Sequence, residues 1–238
     1  MVSSASVVGG HAGAVKLPKL RRYGPAARWY DVLSAERPVY RAGRVLGVEQ
    51  LGISPGARVV DVGCGTGLNF PLLREAVGAT GAVVGVDASA AMLASARTRI
   101  TRNGWANVTV HHGDAAQPGA VLDAEARFDA ALFTYSLSII SDWETAWERT
   151  LAVLRPGARV VVVDLALPVG WGRSLWPLAR LACFTGGVDP HRAPWYRVHT
   201  DTVDVFSAVR RSGHIHVAAG TIPHAGRRAG PGRAVDGT

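Results

Sequence analysis

The stretch Arg58-Val59-Val60-Asp61-Val62-Gly63-Cys64-Gly65-Thr66-Gly67-Leu68-Asn69-Phe70 decides how the rest of the chain is read. Val59-Val60-Asp61-Val62 is an apolar run carrying an acid near its end, as expected of a buried parallel strand. Gly63, Gly65 and Gly67 then alternate, and Phe70-Pro71-Leu72-Leu73 signals a helix start. A strand, a glycine-rich turn and a helix N-terminus let backbone approach a nucleotide-like ligand without Cβ clashes.

Two further strand ends strengthen that reading. Ala82-Val83-Val84-Gly85-Val86-Asp87 is a second apolar run ending in an acid, and Asp87 lies 20 residues past Gly67. An acid at that distance can accept both ribose hydroxyls of a bound nucleoside. Asn107-Val108-Thr109-Val110 leads to Gly113-Asp114-Ala115. The three acids should meet at the carboxyl edge of one sheet, where open α/β sheets bind ligands. The glycine spacing is G-x-G-x-G, with Leu68 where a dinucleotide fingerprint wants glycine; the P-loop pattern is absent and no Lys follows Lys19. Acids around the loop suit a ligand bearing an amine and a sulfonium better than one bearing phosphates.

Val59-Val60-Asp61-Val62-Gly63-Cys64-Gly65-Thr66-Gly67 resembles motif I of the class I S-adenosylmethionine-dependent methyltransferases. Gly85-Val86-Asp87-Ala88-Ser89 and Gly113-Asp114-Ala115 resemble their second and third motifs. Phe128 to Leu132 is similar to their fourth strand, and Leu154-Arg155-Pro156-Gly157-Ala158 to the turn before their fifth. Tyr30-Asp31 resembles an element ahead of motif I in quinone-biosynthesis C-methyltransferases and some lipid-headgroup N-methyltransferases.

The resemblance implies an α/β, Rossmann-like doubly wound sheet of seven strands. The strands should be mostly parallel with the last antiparallel, under an N-terminal helical cover. It implies S-adenosyl-L-methionine as cofactor, held by Asp61, Gly63, Cys64, Gly65, Thr66, Gly67 and Asn69 of the first motif. Asp87 should follow at the ribose, Met92 against adenine or as core filler, and Asp114 and Ala115 at the adenine. Ala88, Thr134 and Tyr30 complete the cofactor set, with Tyr30 in a lid or a core-packing role, and Tyr135 can pack on the sulfonium. The loop Phe133-Thr134-Tyr135-Ser136-Leu137-Ser138 is where donor and acceptor should meet; it lacks the Asn/Asp-Pro-Pro-Tyr of base-modifying enzymes, so nucleic acid is not the expected partner. His191 and Tyr135 are the candidates for a catalytic base, with His199 behind them.

The chain has 238 residues, 48% of them hydrophobic, and a formal charge of +8. Residues 1–44 are net +6 and residues 225–238 net +2, which leaves 45–224 neutral. The basic character therefore belongs to the ends: a solvated arm, an anionic surface or nucleic acid would each accept it. Cys64 and Cys183 set neither a disulfide framework nor a zinc spacing. No signal peptide and no spanning helix are expected, and the expected location is cytoplasmic.

The expected organisation is a disordered arm over 1–19, the helical cover over 20–54, the cofactor-binding domain over 55–224 and a disordered tail over 225–238. Arg37, Arg41 and Arg44 can meet an acidic substrate, but a solvated helix face is the preferred reading. Ser89 should cap the helix carrying Met92, Leu93, Ala96 and Ile100. Ser141-Asp142-Trp143-Glu144 matches a capping box, with Trp143, Trp147, Leu151 and Leu154 as the inward stripe. His111-His112 read as turn histidines without a metal. The aromatic stretch from Pro168 to Phe184 can be a core helix, a wall of an apolar substrate pocket or a membrane-surface helix. The segments 189–191 and 195–197 fall where the family places substrate contacts. Residues 203–217 read as a closing hairpin with His214 and His216 on one face. The expected activity is methyl transfer to a small-molecule or lipid-headgroup acceptor, with peripheral membrane contact allowed. Quinone-type ring C-methylation and cofactor binding without turnover are the alternatives, and a dehydrogenase is a distant third.

Overall fold

The computed structural model describes residues 40–117, 127–170, 177, 189 and 192–224. Seven strands are described: β1 (Arg58–Val62), β2 (Ala82–Asp87), β3 (Val108–His112), β4 (Phe128–Thr134), β5 (Leu154–Leu165), β6 (Val203–Arg210) and β7 (Ile215–Thr221). They form one sheet in the order β3-β2-β1-β4-β5-β7-β6. Strands β1 to β5 pair in parallel; β7 runs antiparallel to both β5 and β6. The chain winds outward from β1 to β3, then returns to β4 on the other side. The carboxyl ends of β1 and β4 thus flank the switch point where ligands of such sheets bind.

Among the described residues five helices accompany the sheet: α1 (Arg41–Gln50), α2 (Phe70–Val77), α3 (Ala90–Asn103), α4 (Trp143–Ala152) and α5 (Tyr196–Asp201). Strand alternation sorts the core into two layers. Val59, Leu132, Val161 and Val163 pack with Leu51, Phe70, Leu73 and Leu93 of the α1–α3 side. Val60, Val62, Phe133 and Val162 pack with Trp147, Trp195 and Val198 of the α4–α5 side. Burial on both faces is why these strands read as unbroken apolar runs. Trp147 is fully buried and donates its indole N–H to Asp201 Oδ2 at 2.8 Å. Trp147→Ala would cost about 3–5 kcal/mol of stability.

Local signals set most boundaries. Ser89 Oγ accepts from the Met92 amide at 3.3 Å and starts α3; Gly104, at φ +64°, ends it in the left-handed conformation. Helix α1 carries Gly43 and Gly47 one turn apart, both buried toward the sheet. A Cβ at Gly47 would sit 2.6 Å from Val163 Cγ2, and one at Gly43 would strike the Tyr135 hydroxyl. Those two absent side chains let α1 lie directly on β5 and against the loop after β4.

Several expectations are corrected. Asp142, one residue past the expected Ser141, caps α4, its Oδ1 accepting from the Thr145 amide; the acid is next to the first helical turn and the serine is not. Leu154 opens β5 and so leaves the helical stripe. His111 and His112 end β3 rather than forming a turn. His214 and His216 do not share a face: His214 lies in the hairpin turn, 6.2 Å from the Tyr40 ring, while His216 stacks on Trp195 at 4.2 Å. Alternation holds only inside the strand, and β7 begins at Ile215. The arm, the first part of the cover including Tyr30, His191 and the tail lie outside the described residues. So does most of the aromatic stretch.

Candidate cofactor and acceptor cleft

A cleft of about 350 Å³ opens at the carboxyl ends of β1 to β4. Gly63, Cys64, Gly65 and Thr66 line it from the first motif, Asp87, Ala88 and Met92 from the second, Asp114 and Ala115 from the third. Thr134 and Tyr135 line it from the end of β4. A wider depression of about 470 Å³ lies at the opposite edge of the sheet, among the turn residues 52–57 and the Asp129–Arg155 ion pair. It gathers no converging buried acids, unlike the first cleft.

Gly65 has φ +56° and nothing within 4 Å of the place a Cβ would take. Its amide donates to Asp87 Oδ2 at 2.9 Å, while Ser89 N–H donates to Asp87 Oδ1 at 2.8 Å. One carboxylate thus joins the glycine loop to the start of α3. Each of its oxygens keeps a lone pair for a further donor. Burial pushes the Asp87 carboxyl up, and the two amides and the charge of His112 pull it back. Arg99 Nε donates to Thr66 O at 3.0 Å, a second tie between α3 and the loop. Burial, with Asp61 and Asp87 nearby, pushes the Cys64 thiol far up, so it stays protonated. Gly67 packs on the Phe70 ring and does not line the cleft.

Asp61 and Asn69 stand just behind the cleft wall, both buried. Asn69 Nδ2 lies 2.9 and 3.0 Å from the two Asp61 oxygens and 3.3 Å from Thr134 Oγ1. Arg44 Nη1 donates to Asn69 Oδ1 at 3.1 Å, and its guanidinium carbon sits 5.2 Å from the Tyr135 ring centre. Burial raises the Asp61 carboxyl to about 7, against the pull of Asn69 and Arg44. A buried carboxylate served by one neutral amide favours a cation placed beside it.

The loop after β4 lines the side of the cleft facing the glycine loop. Tyr135 holds φ +55°, donates its amide to Val163 O at 2.7 Å and its hydroxyl to Tyr40 O at 2.9 Å. Ser136 Oγ donates to Val62 O at 2.7 Å. Asp164, fully buried on β5, accepts from Ser138 N–H (2.9 Å), Ser138 Oγ (2.7 Å) and Leu165 N–H (2.9 Å). Burial raises its carboxyl to about 6, restrained by those donors. Arg192 donates to Ile140 O at 2.8 Å and braces the same loop. Ile139, Ile140 and Ser141 complete the rim.

Sequence reasoning placed Arg44 on a solvated face, yet it lines the cleft. The Gly43/Gly47 pair, one helical turn apart, was the available signal that this helix approaches something closely. His199 contacts Ser207 Oγ at 2.9 Å beside the edge strand and does not line the cleft. Trp195 and Arg197 also serve packing: Arg197 pairs with Asp201 and Glu148. Among the described residues no group of His, Cys, Asp and Glu is placed to hold a metal, and no helix is long and apolar enough to cross a membrane.

Residues 59–157 match a family model described as a methyltransferase domain. The chain is 34% identical over 133 residues to a 2-phytyl-1,4-naphtoquinone methyltransferase of Synechococcus elongatus, covering 55% of this chain and 55% of that protein. Among solved structures, a SAM-dependent methyltransferase from Aquifex aeolicus superposes with TM-score 0.57 at 17% identity, over 82% of this chain and 98% of that one. A Haemonchus contortus phosphoethanolamine N-methyltransferase superposes with TM-score 0.62 at 15% identity, over 84% and 59%. The chain spans a little over half the length of the curated relatives it matches. Residues 59–157 are thus similar to a methyltransferase domain, and the solved structures share the Rossmann-like sheet described above.

Proposed function

We propose that the domain transfers a methyl group from S-adenosylmethionine to a small-molecule or lipid-headgroup acceptor, with a cytoplasmic location as the accompanying expectation. The observation that carries this is the pairing, in one cleft, of an open left-handed Gly65 bridged to Asp87 with an under-satisfied buried acid, Asp61, behind the wall. Asp87 would take the ribose hydroxyls, Asp61 the ammonium, and Asp114 with the Ala115 backbone the adenine. Met92 and Ala88 would pack along the nucleoside, and Thr134 near the sulfur.

The cofactor supplies a methyl on positively charged sulfur with a neutral leaving group. What remains for the chain is to align acceptor, carbon and sulfur and to exclude water. Tyr135 suits a wall for the methyl better than a base, since its hydroxyl proton is already given to the Tyr40 carbonyl. His191 stays the proposed base for an acceptor that must lose a proton.

A quinone-type ring C-methylation is the second reading. The 34% identical relative is named for a naphthoquinone substrate, and Ile139 and Ile140 make the acceptor rim apolar. Incubation with methyl-labelled cofactor and separate panels of quinols, phenols and aminolipids tests both. Label in any panel is the expected result, and quinol labelling selects the ring reading. Cofactor binding with no label in any panel would leave a binding domain without turnover.

A further inference from the structure

We propose that Arg44 is a positioning residue of the cofactor site: by occupying the Asn69 carbonyl oxygen it fixes that amide with its NH2 toward Asp61, and so ties α1 to the seat of the cofactor's amino-acid end. The inference rests on the cofactor reading above and goes beyond it in giving the N-terminal helix a part in that seat.

Asn69 is buried between two groups that make opposite demands. Arg44 offers only donors and Asp61, ionised, only acceptors. With the carbonyl toward Arg44 and the NH2 toward Asp61, both are met, at 3.1 Å and 2.9–3.0 Å. The flipped amide would face N–H to N–H on one side and O to O on the other. The cation on α1 therefore sets the orientation of a neutral group 25 residues away. Through that group it supplies the donor that Asp61 receives. The second amide hydrogen reaches Thr134 Oγ1 at 3.3 Å, so the same orientation also bears on the end of β4.

The helix is built to deliver this side chain. Gly43 and Gly47 allow α1 to lie on Val163 and the Tyr135 hydroxyl, and the Tyr135 ring beneath the guanidinium fixes its approach. Arg41, a turn earlier, is exposed.

The test is calorimetric titration of the full chain with S-adenosylhomocysteine and with methylthioadenosine, which keeps the nucleoside but lacks the amino-acid end. Arg44→Met is expected to weaken S-adenosylhomocysteine about tenfold, a 1.4 kcal/mol effect, and to leave methylthioadenosine unchanged. Arg44→Lys should restore part of the loss, since one ammonium can reach the carbonyl without the planar fork. In an Asn69→Ala background Arg44→Met should add almost nothing. An equal loss in both backgrounds, or a parallel fall for methylthioadenosine, would overturn the proposal and leave Arg44 a packing or direct-contact residue. If Arg44→Met does not fold, Arg44→Lys is carried through the same cycle, with a loss of about threefold expected in the native background and none beside Asn69→Ala. Failure of the unmodified protein to bind either compound would defeat the cofactor reading itself.

Discussion

Two fully buried carboxylates stand on β1 and β5, with β4 between them, and they are served very differently. Asp164 accepts from three donors and anchors the loop after β4. Asp61 has one neutral amide across both of its oxygens. Burial raises both carboxyls, Asp61 to about 7 and Asp164 to about 6, in the order the donor counts require. The lesson is that a satisfied buried acid is a fastening and an under-satisfied one is a seat for a cation. The wall built by the loop after β4 is held by the first kind, and the second stands behind the glycine-loop wall.

The largest effect should come from filling the space both walls face. Gly65→Val is expected to abolish S-adenosylhomocysteine binding, at least about a hundredfold by calorimetry, or about 2.7 kcal/mol. Fold should persist with a loss of about 1–2 kcal/mol, because φ +56° strains any side chain while no neighbour crowds it. Retained binding would place the cofactor elsewhere. Asp87→Ala should weaken binding by about tenfold or more through loss of a charged acceptor; unchanged affinity would remove the ribose assignment.

The two acids themselves give effects of opposite sign. Asp61→Asn should weaken cofactor binding yet leave the ligand-free protein as stable or more so, since an uncompensated buried charge is removed. Asp164→Asn should cost about 1–3 kcal/mol, because an NH2 would meet donors on that side, with little change in cofactor affinity. Thermal melts beside titrations separate the pair; the same response from both would erase the distinction.

The smallest effect is the pH dependence. Both carboxyls are raised above the ordinary 3.8. Between about pH 4 and 7 the native state holds protons that the unfolded chain has released. The stability of the ligand-free protein should therefore fall from these groups as pH rises through that window and level off above it. Affinity for the cofactor should move the other way, rising between about pH 6 and 8 as Asp61 ionises. Parallel slopes would mean that Asp61 does not meet the ligand's ammonium.

Much of the glycine-loop wall is legible in the chain because its signals are local. The β1–glycine–α2 unit, β2 ending at Asp87 and the Ser89 cap each depend on a few consecutive residues. The wall built by the loop after β4 is less so. Asp164 and Ser138 are 26 residues apart, and only parallel pairing of β4 with β5 brings them together. Arg44 reads most simply as part of a solvated helix face because its role depends on a residue far along the chain. Its partner Asn69 is brought near by the packing of α1 over the sheet. His214 and His216 show the same limit from the other side: a period of two is informative inside a strand and silent one residue before it begins.

The most direct measurement is calorimetric titration of the full chain with S-adenosylmethionine and, separately, S-adenosylhomocysteine. The predicted result is saturable binding of both with dissociation constants on the order of micromolar, about 8 kcal/mol of binding free energy, the product bound as tightly as the donor or more so. Binding of neither, or binding of NADH in their place, would contradict the account.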